Sequence, residues 1–334
     1  SRLQAQAQYW IDPGNVVYPP NDPQGLVLST TGSVVVEGTN GFTMRGFTFI
    51  VGDLLDPGQV REPQGIYITS APNTTIADSS LGQAELDGQT YPGFRIDPNN
   101  PNNGGLASPL IITDGSDGTR VENVTCIGNS VRDEARTPSI TVVASGTNNN
   151  RVVLFGNDIR DNIHTATGND QWGSTLLMRD SAVDLVNTAM VGNISETLIF
   201  AATTSKTATE EVRLIGNVLL DNETESGEFA SGPLINLYHV PQFYMLSNTL
   251  ALNDIDADGL SAVIGRGDPF NANPLDPTDD GSLPAADQTW EIHNNLFYNN
   301  TSDQGLVVDA ELDNETVEAC ADIAGNANSG LQHN

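Results

Sequence analysis

The clearest candidates for chemistry are basic and aromatic residues that follow short apolar segments. Arg179 ends T-L-L-M-R, Tyr238 and His239 follow P-L-I-N-L, and Arg266 follows S-A-V-I-G. In such a set, Tyr and His can serve as acid and base while Arg binds a substrate carboxylate. Arg179, Tyr238, His239 and Arg266 are therefore the candidate catalytic residues. The alternative is that they are ordinary surface residues at the ends of strands.

A second candidate site is the acidic segment D-I-D-A-D-G, which places Asp254, Asp256 and Asp258 at alternate positions before Gly259. Alternating carboxylates followed by a glycine turn can surround one hard cation with oxygen ligands, as in the first half of an EF-hand loop. The twelfth position of that loop, normally a bidentate Glu, is Gly265 here. The segment predicts Ca²⁺ as a cofactor, and a solvated acidic turn is the alternative.

Two repeated strand patterns must position these residues. The first is a polar anchor followed by alternating apolar and polar residues, and its anchors are Gly46, Asp78, Asn123, Asn157, Asn187, Asn217, Asn248 and Asn295. The second is a short run rich in β-branched residues, which begins at Gly65, Pro109, Ser139, Thr175, Thr197, Pro233, Leu260 and Gly305. The anchors recur about every 30 residues, with two longer steps. Such a period with variable loops predicts a solenoid rather than helices.

Each period would form one coil, and equivalent strands of successive coils would pair in parallel. Asn at the anchors suits an inward turn, because stacked amides hydrogen-bond along a column. On these residues the sequence resembles the right-handed parallel β-helix superfamily, which includes pectate-lyase-like proteins, polysaccharide lyases and tailspikes. The resemblance implies an all-β solenoid of about eight coils over residues 26–334, after an N-terminal cap at 1–25. Long insertions are expected near 91–107 and 267–287.

Charge and composition exclude several classes of protein. The chain has 43 Asp and Glu against 13 Lys and Arg, a net charge of -30, and Lys206 is its only lysine. Such a surface repels nucleic acids and anionic lipids, which bind to clustered cations. No apolar run reaches the length of about 18 residues that a membrane span needs. The acidic, lysine-poor composition favours cations as partners and a saline, marine or halophilic setting, either extracellular or on the cell surface.

The two cysteines, Cys126 and Cys320, lie about five predicted coils apart, too far for a disulfide between them. Cys126 is therefore predicted to be a small buried residue and Cys320 a free or intermolecular thiol. Folding back of the C-terminal tail would reverse that interpretation.

The leading functional hypothesis is a secreted or surface-attached β-helix with a structural, adhesive or filament-forming role. Its partners would be other copies of itself, stacked end to end through uncapped coil edges, or an extracellular polysaccharide. The alternatives are a polysaccharide lyase or hydrolase and a glycan-binding recognition fibre. The sequence contains no recognisable catalytic motif, which favours a non-enzymatic role. If the protein is an enzyme, a polysaccharide lyase is the expected class.

Overall fold

The structure is a computed structural model of the 334-residue chain. The residues that it describes are 26–29, 34–50, 65–86, 89–91, 108–132, 138–165, 173–204, 209–224, 233–255, 262–265, 289–302 and 306–309. Every helix or strand found in these ranges is a β-strand, so they contain no helix capable of crossing a membrane. Three of the predicted segments lie outside the described residues. They are the cap at 1–25, residues 92–107 of the first insertion, and the whole of the second insertion at 267–287.

Two parallel sheets contain nine described strands each. Sheet I consists of β1 Leu26–Ser29, β4 Phe47–Ile50, β7 Ser80–Gly82, β12 Thr125–Ile127, β16 Asp158–Arg160, β20 Ala189–Val191, β24 Val218–Leu220, β28 Thr249–Ala251 and β32 Leu296–Tyr298. Sheet II consists of β2 Val34–Glu37, β5 Ile66–Thr69, β10 Leu110–Thr113, β14 Ile140–Val143, β18 Ser174–Arg179, β22 Thr197–Ala202, β26 Ile235–Tyr238, β30 Ala262–Gly265 and β34 Leu306–Asp309.

Two further parallel sheets complete the coils, and one hairpin stands apart from them. Sheet III consists of β3 Thr43–Arg45, β6 Thr75–Ala77, β11 Arg120–Glu122, β15 Val152–Phe155, β19 Val183–Val186, β23 Glu211–Ile215, β27 Gln242–Leu246 and β31 Thr289–His293. Sheet IV consists of β13 Ser130–Arg132, β17 Ile163–Thr165, β21 Ile194–Ser195, β25 Glu223–Thr224, β29 Asp254–Ile255 and β33 Thr301–Ser302. The antiparallel hairpin pairs β8 Ala84–Leu86 with β9 Gln89–Tyr91.

The chain passes through the sheets in a fixed order. For example, β14, β15, β16 and β17 belong to sheets II, III, I and IV, and β18 then pairs with β14 in parallel. This connectivity confirms the predicted parallel β-helix. The coil count differs from the prediction of about eight, because sheets I and II each have nine strands within the described residues. The extra strands, β1 and β2, precede the first anchor recognised in the sequence.

The core is built from columns of branched apolar side chains that point into the solenoid. One column in sheet II contains, in register, Ile66, Leu110, Ile140, Leu176, Ile199, Ile235 and Ile264, each fully buried. Burial of one such side chain contributes about 1.5–3 kcal/mol relative to exposure. Equivalent residues of successive coils therefore stabilise the stack in the same way along its length.

A ladder of six amides runs along the buried turn between sheets I and IV, through Asn129, Asn162, Asn193, Asn222, Asn253 and Asn300. Asn193 illustrates the geometry. Its Nδ2 donates to Asn222 Oδ1 at 2.9 Å and to Ile159 O at 3.0 Å. Its Oδ1 accepts from Nδ2 and from the backbone N of Asn162. The amide thus uses its donors and its acceptor within the core, as a buried polar group must.

A second buried polar column lies between sheets III and I and contains Asn157, Thr188, Asn217, Asn248 and Asn295. The prediction that Asn123 and Asn187 are inward anchors is wrong, because both are exposed. They have φ of 53° and 48° and lie one position before the buried column. Asn tolerates this left-handed conformation better than most residues, so it marks both the turn and the ladder.

Cys126 is fully buried and forms no disulfide, which confirms its prediction as a small buried residue. Burial raises the pKa of its thiol to about 12, although hydrogen bonds with Ser139 and Asn129 oppose the shift. Cys320 lies outside the described residues.

Cys126 should therefore resist alkylation in the folded protein, because the thiolate is the reactive species and burial disfavours it. In a Cys320→Ser background, iodoacetamide at about pH 8 should label the protein only after unfolding by denaturant, as followed by mass spectrometry. Labelling of the native protein at the rate of a free peptide thiol would contradict the buried placement.

Candidate functional site

The structure brings part of the predicted catalytic set together. Arg179 and Tyr238 end β18 and β26 and share one column, with Ala202 between them. They are thus two coils apart, about 9.6 Å at the usual strand spacing. His239 follows Tyr238 at a left-handed turn with φ of 54°, and their ring centroids are 4.1 Å apart. Arg266 lies outside the described residues.

Accessibility differs within this set. The Arg179 side chain is 41% exposed, and its Nε lies 3.9 Å from Asp180 Oδ2. Asp180 Oδ1 also accepts hydrogen bonds from the backbone N and Oγ1 of Thr204. His239 is only 4% exposed, so little of its ring can reach a substrate. The catalytic role of these residues stays a prediction.

Of the three aspartates of the acidic motif, the structure describes only Asp254. It is exposed, begins β29 and pairs in register with Glu223 and Thr301, whose Oγ1 donates to Asp254 Oδ1. Asp256 and Asp258 lie outside the described residues. Within the described ranges, no group of three or more His, Cys, Asp or Glu side chains is arranged to hold a metal. The calcium site and the end-to-end stacking of copies both stay predictions.

A different cluster of polar side chains lines a groove on the outer face of sheet III, across β23, β27 and β31. Arg213, Tyr244 and Glu291 form one column on three successive coils. The parallel column two residues earlier contains Glu211, Gln242 and Thr289. The groove has a volume of about 440 Å³, and the cluster of these six residues is called the sheet III groove below.

A buried arginine holds one end of the sheet III groove. Arg151 has a side chain only 8% exposed, and its guanidinium contacts Asp184 Oδ1 at 2.5 Å and Glu211 Oε2 at 3.4 Å. It also donates to the backbone oxygens of Val183 and Glu211. Because three coils meet at this one side chain, Arg151 fixes where the Glu211 carboxylate points.

Glu211 in turn orients Arg213, whose Nη2 donates to Glu211 Oε2 at 2.6 Å. This hydrogen bond is the main cause of a raised pKa at Arg213, with the charges of Glu211 and Asp184 adding to it. The guanidinium is therefore a permanently charged donor held in a fixed position, while its side chain remains 38% exposed.

The other end of the groove carries an aromatic pair. The rings of Tyr244 and His293 lie 6.3 Å apart between centroids, and His293 Nε2 is 3.8 Å from Glu291 Oε2. The groove therefore combines an aromatic ring, carboxylates, an amide, a hydroxyl and a guanidinium on one strand face. Such a surface can both stack against a ring and exchange hydrogen bonds with hydroxyl groups.

Sequence reasoning missed these residues, although a signal for them exists. The segments E-V-R-L-I from Glu211, Q-F-Y-M-L from Gln242 and T-W-E-I-H from Thr289 alternate polar and apolar residues. Period-two alternation indicates a strand with one face in the core and one in solvent. Aligning the three segments would have placed Arg213, Tyr244 and Glu291 side by side.

No family model and no curated protein sequence matches the chain. Among solved structures, the A-module of the Azotobacter vinelandii mannuronan C-5 epimerase AlgE4 is similar with a TM-score of 0.32 at 13% identity, covering 90% of this chain and 76% of that one. The A-module of the mannuronan C-5 epimerase AlgE6 from the same organism has a TM-score of 0.24 at 13% identity, covering 89% and 74%. At these TM-scores and identities, the similarities carry no argument about the fold or the function of this chain.

Proposed function

We propose that the protein is an extracellular or surface-attached β-helix that adheres to a neutral polysaccharide through the sheet III groove. The observation that carries this proposal is the pairing of the Arg213, Tyr244 and Glu291 column with the Glu211, Gln242 and Thr289 column. Both columns face outward, because the residues that alternate with them, Val212, Phe243 and Trp290, are buried in the core.

The chemistry of the groove suits a sugar. The Tyr244 ring offers an apolar face for the C–H side of a pyranose, as aromatic side chains do at many ligand sites. Carboxylates accept hydrogen bonds from hydroxyl groups, Arg213 donates them, and Gln242 does both. Because the donors and acceptors lie on three successive coils, a chain of sugar units can contact all three coils at once.

Charge favours a neutral glycan over a uronate polymer. Glu211, Glu291 and Asp184 surround the groove, whereas Arg151 and Arg213 are already bonded to carboxylates of this set. The protein as a whole carries a net charge of -30. A polyanion would therefore have to overcome a repulsive field, whereas an uncharged chain would not.

Affinity electrophoresis and calorimetry on neutral polysaccharides (mannan, galactan, xylan and β-glucan) test the proposal. Tyr244→Ala should weaken binding to the recognised polymer by about tenfold, because a lost stacking contact is worth about 1.4 kcal/mol. Tyr298→Ala is the matched control, since Tyr298 is an exposed tyrosine on sheet I, and it should bind as the parent does. Equal losses in both variants, or no binding to any neutral polymer, would overturn the proposal.

The Tyr244 and His293 pair supports a second candidate function, a uronate lyase. The ring centroids of Tyr244 and His293 are 6.3 Å apart, and Arg213 lies beside Tyr244 in the same column. The two rings could transfer protons at a sugar carbon while Arg213 binds the substrate carboxylate. Absorbance of unsaturated uronates, followed with alginate, pectate and chondroitin sulfate, separates the two functions. Turnover that is lost in His293→Gln would favour the lyase, and no turnover would leave the adhesive function.

A further inference from the structure

The C-terminal coils expose an apolar patch on sheet I, away from the sheet III groove. Val218 and Leu296 share one column with Thr249 between them, and Leu220 and Tyr298 share the next with Ala251 between them. Leu252 adjoins this second column, and its backbone N donates to Tyr298 O. Val218, Leu220, Leu252, Leu296 and Tyr298 are called the C-terminal apolar face below.

Leu252 is unusual among the residues at its turn position in the coil. It is 46% exposed and has φ of 56°, a conformation that costs a residue with a bulky side chain about 1–2 kcal/mol. The equivalent turn positions on neighbouring coils are Asp161, Gly192, Asp221 and Asn299, the residue types that suit this conformation. Among these five turn positions, only Leu252 combines a strained backbone with an exposed aliphatic side chain.

Three other members are exposed as well, whereas Leu220 is half-buried. Tyr298 is 47% exposed, and Val218 and Leu296 are each exposed by more than a third. Val218 and Leu296 are two coils apart, as are Leu220 and Tyr298, which is about 9.6 Å at the usual strand spacing. Apolar residues grouped on one strand face mark an interaction site more often than single apolar residues do.

The surroundings of the C-terminal apolar face are acidic. Asp221 lies at the turn one coil before Leu252, and Glu223 and Asp254 are exposed on adjacent strands of sheet IV. Strands β24, β25, β28, β29 and β32 contain no Lys or Arg. In the sequence, Arg266 is the only Lys or Arg after Arg213.

The acidic residues around the C-terminal apolar face indicate which kind of partner binds there. A second copy of the chain would bring its own net charge of -30 against the acidic border, and like charges across an interface are costly. A cationic partner gains from the same border, and its apolar residues gain from the centre. An extended peptide can use both, because its alternate side chains point to opposite sides, one set toward sheet I and the other toward the acidic residues at its border with sheet IV.

We propose that the C-terminal apolar face docks a basic peptide segment in which Lys or Arg alternates with apolar residues. The apolar side chains contact Val218, Leu252 and Tyr298, and the cations reach Asp221 and Glu223. This interaction is independent of the polysaccharide proposed for the sheet III groove, and neither requires the other.

Fluorescence anisotropy with a labelled decapeptide of alternating Lys and Leu tests the docking at about 0.15 M salt, where long-range attraction is largely screened. The full chain should bind this peptide at least fivefold more tightly than decapeptides of alternating Lys and Ser or alternating Glu and Leu. Leu252→Asn, alone and together with Tyr298→Ser, should weaken binding at least fivefold. Asn suits the left-handed turn, so the fold should be retained, as checked by circular dichroism.

Ser247→Asn is the control, because Ser247 is an exposed left-handed turn residue at a different corner of the coil, and it should not change the affinity. Equal binding of the Lys–Ser peptide would show general attraction to an acidic protein and overturn the proposal. So would an unchanged affinity in the double variant. Sedimentation showing a dimer that Leu252→Asn dissolves would overturn it as well, by assigning the face to a second copy.

Discussion

Asn193→Ala should lower the free energy of unfolding by about 3–5 kcal/mol, as measured by denaturant titration. The substitution removes the side chain that bridges Asn162 and Asn222 in the buried ladder. It leaves the Asn162 amide donor and Ile159 O without this partner inside the core. Each buried polar group left unsatisfied costs about 1–3 kcal/mol, and the substitution affects several of them at once.

Two further variants show whether the ladder geometry is the cause. Asn187→Gly removes an exposed amide at a left-handed turn and should change stability by less than about 0.5 kcal/mol. Asn193→Asp places a carboxyl beside Ile159 O and Asn222 Oδ1, where burial would raise its pKa. Its stability relative to the parent should therefore be highest in acid and fall as pH rises, because the folded state retains a proton that the unfolded state releases. Equal losses in Asn187→Gly and Asn193→Ala would contradict the ladder assignment.

Arg151→Met should destabilise the protein by about 3–5 kcal/mol, the usual cost of removing one partner of a buried ion pair. Met fills much of the same space, so the loss comes from charge and hydrogen bonding rather than from a cavity. Asp184 loses its guanidinium partner, and the backbone oxygens of Val183 and Glu211 lose a donor.

Arg160→Met is the matched control, because Arg160 contacts Asp158 on the surface and its side chain is 44% exposed. Exposed pairs contribute about 0–1 kcal/mol, so this variant should stay close to the parent in the same titration. If both arginine variants lost the same stability, burial of the Arg151 network would not be the cause of the destabilisation.

Arg151→Met should also weaken polysaccharide binding, since Glu211 would lose one of its two arginine partners.

The sequence was sufficient to predict the parallel β-helix and most strands of sheets I and II. Apolar runs such as L-I-I-T from Leu110 and V-L-L from Val218 have turn residues at both ends. Sheet III was missed because its strands directly precede the anchors and carry charged residues such as Glu211 and Arg213. The one-residue error at Asn123 and Asn187 has a physical origin as well. Adjacent positions favour Asn for two reasons, one the left-handed backbone and the other the stacked amide.

The sheet III groove was harder to predict than the fold, because its contacts depend on register between coils. Arg151 meets Asp184 and Glu211 across 33 and 60 residues of sequence. An alignment error of one residue in any coil would turn these side chains to the opposite face. The predicted catalytic residues were placed in part correctly. Arg179 and Tyr238 share a column, but the burial of His239 depends on packing that sequence periodicity does not reveal.

The amide ladder also gives the solenoid a direction. From Asn129 to Asn300, every side-chain bond in the column runs from the Nδ2 of one coil to the Oδ1 of the next. Aligned amide dipoles reinforce one another, as they do along a helix axis. The column therefore presents its positive pole toward the C-terminal coils. Glu223 and Asp254 lie on those coils, at the end where this internal field stabilises negative charge.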